Sequence, residues 1–375
     1  MRDVALLFLK LGTIAFGGPA AHTAMMRDEL VRRRGWVTDE RFVDLIGATN
    51  LIPGPNSTEL AIHLGFDRAR WRGLLAAGLC FILPAALMVT ALAWAYVTYG
   101  QTPEVRGVLY GVVPVVIGII AHALFGLLRV VIKNVWLAVL AVAALAAYLL
   151  GVNELLILAS GAILAAAARV VRHPLRGRLH GLVAVPLAVG SGHPLFPNPG
   201  GGQLWQLFAT MLKIGSVLYG SGYVLLAFLR GDFVDRLHWI TEQQLIDAVS
   251  IGQVTPGPVF TTATFIGYVV AGPIGAFLAT VAIFLPSFLF VGLLTRLTNT
   301  IRSSPWTSVM LDGVNVTALA LMAGVSYQLA RTAIVDPLTV AIAVVTLLLL
   351  WRTKLNNAWY IAAGALIGLA HTLIA

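Results

Sequence analysis

The sequence predicts an all-α polytopic membrane protein of two homologous halves in inverted topology, each about five spans plus a re-entrant Pro-Gly-Pro helical hairpin. Composition, an internal repeat and the placement of basic residues carry this reading. Of 375 residues, 59% are hydrophobic and 11% charged, and the mean hydropathy is +0.88, whereas soluble domains carry roughly 25% charge. A water-soluble globular domain is excluded. A helical crossing takes roughly 20 apolar residues, which leaves no room for a sizeable soluble domain.

Sliding the chain against itself aligns Lys10 with Lys213, Gly12 with Gly215, Arg27 with Arg230, Arg33 with Arg236, Trp36 with Trp239 and Asp44 with Asp247. Pro53-Gly54-Pro55 then meets Pro256-Gly257-Pro258. After a one-residue deletion Gly65 meets Gly267, Gly73 meets Gly275, Pro84 meets Pro286 and Gly111 meets Gly313. The halves are residues 1–171 and 203–375. The stretch 172–202, rich in Gly, Pro, Arg and His, reads as the loop between them.

Each half holds six apolar segments, near 4–26, 45–64, 73–99, 107–128, 134–150 and 155–170 in the first and 204–229, 245–267, 274–295, 306–330, 333–351 and 356–375 in the second. The start, Met1 to Ala24, superficially resembles a signal peptide. It reads instead as a retained span, because Lys10 interrupts its apolar run and the segment recurs within the chain. The second segment of each half is split by Pro-Gly-Pro and loaded with polar residues. Such irregular backbone survives at membrane depth only inside protein or against water, so it is expected to re-enter without crossing.

Five crossings per half invert the second half. With the N-terminus outside, most of the 25 basic residues, among them Arg27, Arg32, Arg33, Arg34, Arg41, Arg68, Arg70 and Arg72, fall inside, as cytoplasmic loops require. Arg2, Arg106, Arg230, Arg236 and Arg331 fall outside. The net charge of +9 is thus mainly an orientation signal. The Arg32-Arg33-Arg34 run suits anionic lipid better than nucleic acid.

A single Cys80 excludes an internal disulfide, a CxxC pair and a Cys metal cluster. No Walker A, HExxH or GxSxG motif occurs. Neither an enzyme nor ATP-driven transport is expected, and neither a cofactor nor a metal.

Lys10 and Lys213 are intramembrane charges, which either meet a substrate anion or snorkel to the interface. Gly17, Gly18 and Pro19, with Gly220 and Ser221 in the repeat, break the first span and expose backbone amides. Discontinuous helices in inverted repeats, with N-termini aimed at anions, mark secondary transporters. Around Pro53, Gly54 and Pro55 stand Asn50, Asn56 and Ser57; around Pro256, Gly257 and Pro258 stand Gln253 and Thr255. A half-helix beginning there, with Asn56 as N-cap, offers free N–H groups and hydroxyls to an oxyanion. Glu59, three residues on, either closes a capping box with Asn56 or is a buried carboxylate that exchanges protons. Asp44 and Asp247 either couple protons or pair with a nearby Arg. His22 either gates the site or is a core histidine. Arg27 and Arg230 serve a pore mouth or topology alone.

Phe16-Gly17-Gly18-Pro19 with His22, then Arg33, Trp36, Phe42, Pro53-Gly54-Pro55 and Leu83-Pro84, resemble the chromate ion transporter family in its two-domain, long-chain form. The resemblance runs over essentially the whole chain. It implies an inner-membrane, multi-pass carrier that exports chromate, with sulfate as analogue, driven by protons or membrane potential. The chain departs from the family in carrying Glu59 where members tend to carry Gln, and Gly220-Ser221-Gly222 for the second Gly-Gly-Pro. The expected partners are a small oxyanion and the bilayer, without nucleic acid; a homodimer is left open. A channel or carrier for another solute is the alternative, and a membrane-embedded enzyme a distant third, since its catalytic set would not occur in pairs.

Overall fold

The computed structural model describes residues 1–16, 18–172, 202–219, 222–302, 305–353 and 355–374. Gly17, Gly220, Ser221 and nearly all of the expected loop 172–202 lie outside the described residues. In chain order the first half holds α1 (Arg2–Ile14), α2 (Gly18–Arg27), α3 (Asp39–Thr49), α4 (Asn56–Tyr99), α5 (Pro103–Val131), α6 (Val135–Leu149) and α7 (Glu154–Arg172). The second half repeats it as α8 (Gln203–Val217), α9 (Leu225–Leu229), α10 (Glu242–Val254), α11 (Thr262–Arg302), α12 (Pro305–Ala333), α13 (Pro337–Arg352) and α14 (Asn357–Ile374). α2 and α9 each run on into a π-helical turn, Asp28–Arg33 and Arg230–Arg236.

The Pro-Gly-Pro segment splits into two short arms, as expected. α3 starts on a Thr38 cap, whose side chain accepts from the Arg41 N–H, and ends at Asn50. The chain then returns along the first arm of α4. Arg41 Nε meets Asp67 Oδ2 at 2.7 Å, so the two arms are antiparallel and share a base.

The first apolar segment differs from the single crossing the sequence suggests. Lys10 lies against Glu29 at 3.7 Å and Lys213 against Asp232 at 2.6 Å. A straight helix would hold residues 19 apart roughly 28 Å from each other at 1.5 Å per residue. The chain therefore turns back between Ala15 and Gly18, and α1 with α2 forms a second re-entrant hairpin. Gly18, with φ 78°, Pro19 and the loss of the i→i−4 ladder there are the physical cause. Arg2 consequently shares a face with Arg27 and Arg41 instead of lying opposite. The bases of both hairpins meet where Trp36 is held between Arg34 and Arg68, at 5.2 and 4.8 Å.

α4 reverses once more at Ala69 (φ −146°, ψ 29°) and Arg70 (φ 51°, ψ −142°), and α11 does so at Ala271 and Gly272 (φ 61°, ψ −153°). Gly65 then lies against Gly73, and Gly267 against Gly275; small residues let helix backbones close up where lipid supplies no hydrophobic drive. Beyond the reversal the long arms span the layer. Among the described residues five helices are long and apolar enough to cross a membrane, and α6 and α13 are shorter apolar helices.

The halves are inverted. Trp71, early in the long arm of α4, packs on Gly292, late in that of α11, while Gly78 packs on Phe288. The two arms are therefore antiparallel. Tyr96, at the far end of α4, reaches Asp247 and Phe265 of the second half's hairpin. First-half hairpins enter from the basic face and second-half hairpins from the other. One apolar cluster joins α1, α2, α3 and α4 through Phe8, Met26, Phe42 and Phe81; a larger one unites the second half with α5.

Impermeant maleimide should distinguish these faces in a Cys80→Ser background. Cysteines replacing exposed Asp3 and Glu40 should label from the cytoplasm, and those replacing Gln101 and His238 from outside; labelling of positions 3 and 40 from different sides refutes the first hairpin. The backbone at Arg70 occupies a region that only glycine enters freely, at about 1–3 kcal/mol. That outweighs its cation–π contact with Phe66 at 5.7 Å, worth about 0.5–1 kcal/mol. Arg70→Gly should accordingly raise the thermal unfolding midpoint in detergent, and a lowered midpoint contradicts it.

Candidate functional site

The hairpin tips of the two halves meet one another. α1 ends at Ala15 (φ −80°, ψ 85°) and α8 at Leu218, and each break leaves a carbonyl without its helical donor. The Gly257 N–H donates to Ala15 O at 2.9 Å, and the Gly54 N–H donates to Leu218 O at 2.8 Å. Each half thus satisfies the freed carbonyl of the other. Both glycines have positive φ, 139° at Gly54 and 95° at Gly257, a conformation that side chains resist. A Cβ on Gly257 would also stand 2.6 Å from Ala85 Cβ, and one on Gly54 would run into Glu59 Oε1 and stand 2.8 Å from Ser287 Oγ. Tyr219 donates to Leu51 O across the same junction at 3.2 Å.

His22 is a buried hub of this lock. Its Nε2 lies 3.0 Å from Ala15 O and its Nδ1 3.2 Å from Ser57 Oγ. A carbonyl only accepts, so Nε2 carries the proton and Nδ1 accepts from the Ser57 hydroxyl. Phe81 packs edge-on against the ring.

The expected capping box is not formed. Pro55, not Asn56, precedes the first helical residue and makes no side-chain cap. Proline has no N–H for a glutamate to cap, and the amides of Thr58 and Glu59 bond to Pro55 O. Asn56 instead donates from Nδ2 to Asn50 Oδ1 at 2.8 Å. Glu59 is fully buried with both carboxylate oxygens unpartnered. Ser287 Oγ stands beside it outside good hydrogen-bond geometry and also lacks a partner.

In the second half most hydroxyls are already engaged. Thr255 bonds to Ile251 O and Gly252 O, Thr261 to Pro258 O and Thr262 to Val259 O. Gln253 Oε1 faces Tyr223 Oη at 3.5 Å, while Gln253 Nε2 has no partner. Asp247 is buried and accepts from Tyr96 Oη at 2.8 Å and Gln243 Nε2 at 3.0 Å, not from an arginine. Asp44 sits half-buried near Arg41.

Lys10 and Lys213 do not reach the tips. Glu29 gathers Lys10, Arg33 and Arg34, and Asp232 gathers Lys213 and Arg236. Both lysines thus tie the arms of their own hairpins.

A cavity of about 540 Å³ leads from the basic face to the tips, past Arg27, Arg32 and Thr23 to Pro19, Asn50 and Asn56. At roughly 30 Å³ per water it holds an ion with several waters. Arg27 bonds to Asp39 at 2.8 Å and remains 46% exposed; this hydrogen bond holds the Asp39 carboxyl below its usual range. The repeat positions on the other face are shut. Ala20 and Ala24 are exposed, whereas their equivalents Tyr223 and Ala227 are buried. Arg230, 15% exposed, is tied to Asp235 and Glu242, and Glu242 also accepts from Thr332. A smaller cavity on that face, about 380 Å³, lies beside Tyr96, Arg106, Tyr110 and Asp247.

Sequence reasoning missed Ser287 and Tyr219, and gave Arg32 a place in the basic loop but not in the site. The signal for Ser287 was present: the repeat sets it opposite Ala85, directly after the shared Leu-Pro.

The profile described as "Chromate transporter" matches this sequence twice, over residues 2–166 and 205–369. The chain belongs to the chromate transporter family. The two matches coincide with the two inverted halves. Among curated members of the family, the chromate transport protein of Cupriavidus metallidurans is 35% identical over 98% of this chain and 92% of its own length. The probable chromate transport protein of Synechococcus elongatus is 33% identical over 98% and 95%, and the chromate transport protein of Pseudomonas aeruginosa 33% over 96% and 90%. No solved structure matches.

The lock predicts a graded response to alanine. Gly54→Ala and Gly257→Ala should destabilise by about 1–3 kcal/mol or more through backbone conformation alone, with steric overlap added. Gly272→Ala, whose Cβ meets nothing within 4 Å, should be milder. Thermal unfolding in detergent reads the order, and equal losses at all three positions contradict the lock.

Proposed function

We propose that the protein is a secondary transporter that exports a small tetrahedral oxyanion, chromate with sulfate as its analogue, across the inner membrane by alternating access. The observation that carries this is the asymmetry around the lock. One vestibule opens from the basic, cytoplasmic face to the tips, while the equivalent entrance on the other face is sealed by Arg230, Glu242 and the buried α9. Opening one entrance and closing the other exchanges the roles of two inverted halves.

The anion site lies at the vestibule floor. Asn50, Asn56 and the backbone around Pro19 and Pro53-Gly54-Pro55 face the anion first, and Arg27 and Arg32 concentrate it at the mouth. The second-half tip, with Gln253, Thr255 and Pro256-Gly257-Pro258, forms its far wall. His22 and Ser57 hold the first-half tip, and Lys10 and Lys213 hold the hairpin arms. Transport is driven by membrane potential or protons, with Glu59, Asp44 and Asp247 as the acids through which protons could act. No cofactor takes part in this scheme.

Proteoliposomes test it. Chromate flux should be competed by sulfate, and Asn50→Ala and Asn56→Ala should each weaken apparent affinity about tenfold, the loss of a hydrogen bond to a charged group. Lys10→Ala, an exposed pair at 3.7 Å, should change it by less than about twofold. Unchanged flux in both asparagine variants removes the site from the vestibule floor.

A further inference from the structure

We infer that Glu59 is the proton site of the transport cycle and gains its proton as the anion binds, an inference that rests on the oxyanion reading above. Glu59 is 0% exposed and neither carboxylate oxygen has a partner. It lies behind the first-half tip, between Gly54 and Ser287 of the other half. Ser287 Oγ and Thr58 Oγ1 are likewise buried without partners. Orphaned groups of this kind call for an explanation in a native structure.

No Lys or Arg among the described residues pairs with Glu59. The titratable groups around it do not pair with it: His22 is held at both ring nitrogens, Tyr219 donates to Leu51 O, and His63, buried one turn further along α4, leaves Nε2 without a partner. An ionised carboxylate here would be an uncompensated charge in a low-dielectric core. A bound dianion at the adjacent tip would repel it further. The neutral acid removes both penalties and leaves an O–H facing the Ser287 hydroxyl.

The repeat shows that this acid is single. The corresponding positions of the second half are Thr261 and Thr262, whose hydroxyls donate to the carbonyls of Pro258 and Val259, and the repeat counterpart of Ser287 is Ala85. Asp247, by contrast, has two hydrogen-bond donors, Tyr96 and Gln243. One carboxylate at the lock means one proton per anion. It arrives from water as the anion enters and returns to water as the anion leaves; only an O–H bond forms and breaks.

Sulfate, a dianion at all pH values near neutrality, is the probe. Binding to the purified full-length protein should weaken by about tenfold per pH unit above the titration of Glu59, the slope of a single linked proton. Glu59→Gln should bind with the acid-limb affinity at every pH. In weakly buffered solution on that alkaline limb, with an indicator dye, the wild type should take up about one proton per sulfate bound, a reading that needs no variant. The inference fails if the wild type takes up no proton on that limb, if Glu59→Gln keeps the wild-type pH slope, or if binding at fixed pH requires sodium. Absence of sulfate and chromate binding by the wild type at every pH overturns the oxyanion reading and this inference together. Normal binding with an unchanged slope in Glu59→Gln overturns the inference alone.

Discussion

Two backbone hydrogen bonds, Gly257 N–H to Ala15 O and Gly54 N–H to Leu218 O, set the terms for the rest of the molecule. In a hydrocarbon layer every broken helix leaves polar groups that water cannot reach. Neither half supplies a backbone donor for its own freed carbonyl at Ala15 or Leu218; each borrows the glycine of the other, and His22 Nε2 adds a side-chain donor at Ala15 O. The second half on its own would leave Leu218 O without the donor it takes from Gly54. The exchange also fixes the relation between the halves, because only an inverted partner brings the two tips head to head.

Symmetry at the backbone is combined with asymmetry in the side chains. The first-half tip carries the asparagine pair, the histidine hub and the buried acid. The second-half tip carries threonines bonded to their own helix and an apolar α9 packed in the larger core. The same scaffold therefore presents a wet, polar wall on one side and a dry, packed wall on the other. The Asn50–Asn56 bond is the contact between the two arms of one tip, so an anion competing for those amides would act directly on the hairpin.

Much of this was legible in the residues. The repeat pairs, the split second segment and the basic loops around Arg27 to Arg41 and Arg68 to Arg72 gave the two halves and their inversion, and the tips fall at the Pro-Gly-Pro and Gly-Gly-Pro runs. What escaped was reversal. α1 with α2 has the apolar length of a crossing, and hydropathy cannot distinguish a helix that continues from one that doubles back; only the Lys10–Glu29 and Lys213–Asp232 pairs reveal it. The same pairs changed the meaning of the lysines, since their carboxylate partners are distant in sequence. Of the two readings of Glu59, capping residue or buried acid, the first rested on its spacing from Asn56. The helix began one residue off the capping-box register, behind a proline without an N–H.

The vestibule has an electrical consequence. Water reaching the tips carries the cytoplasmic potential with it, so the membrane voltage does not fall evenly across about 30 Å of hydrocarbon. It falls across the thin septum formed by the tips and the packed second half above them. A charge displaced by only a few ångströms through that septum then experiences most of the field, about 2.3 kcal/mol per elementary charge for each 100 mV. In the proposed transport cycle a dianion would experience it twice over, and a short movement at the lock would couple membrane voltage to flux.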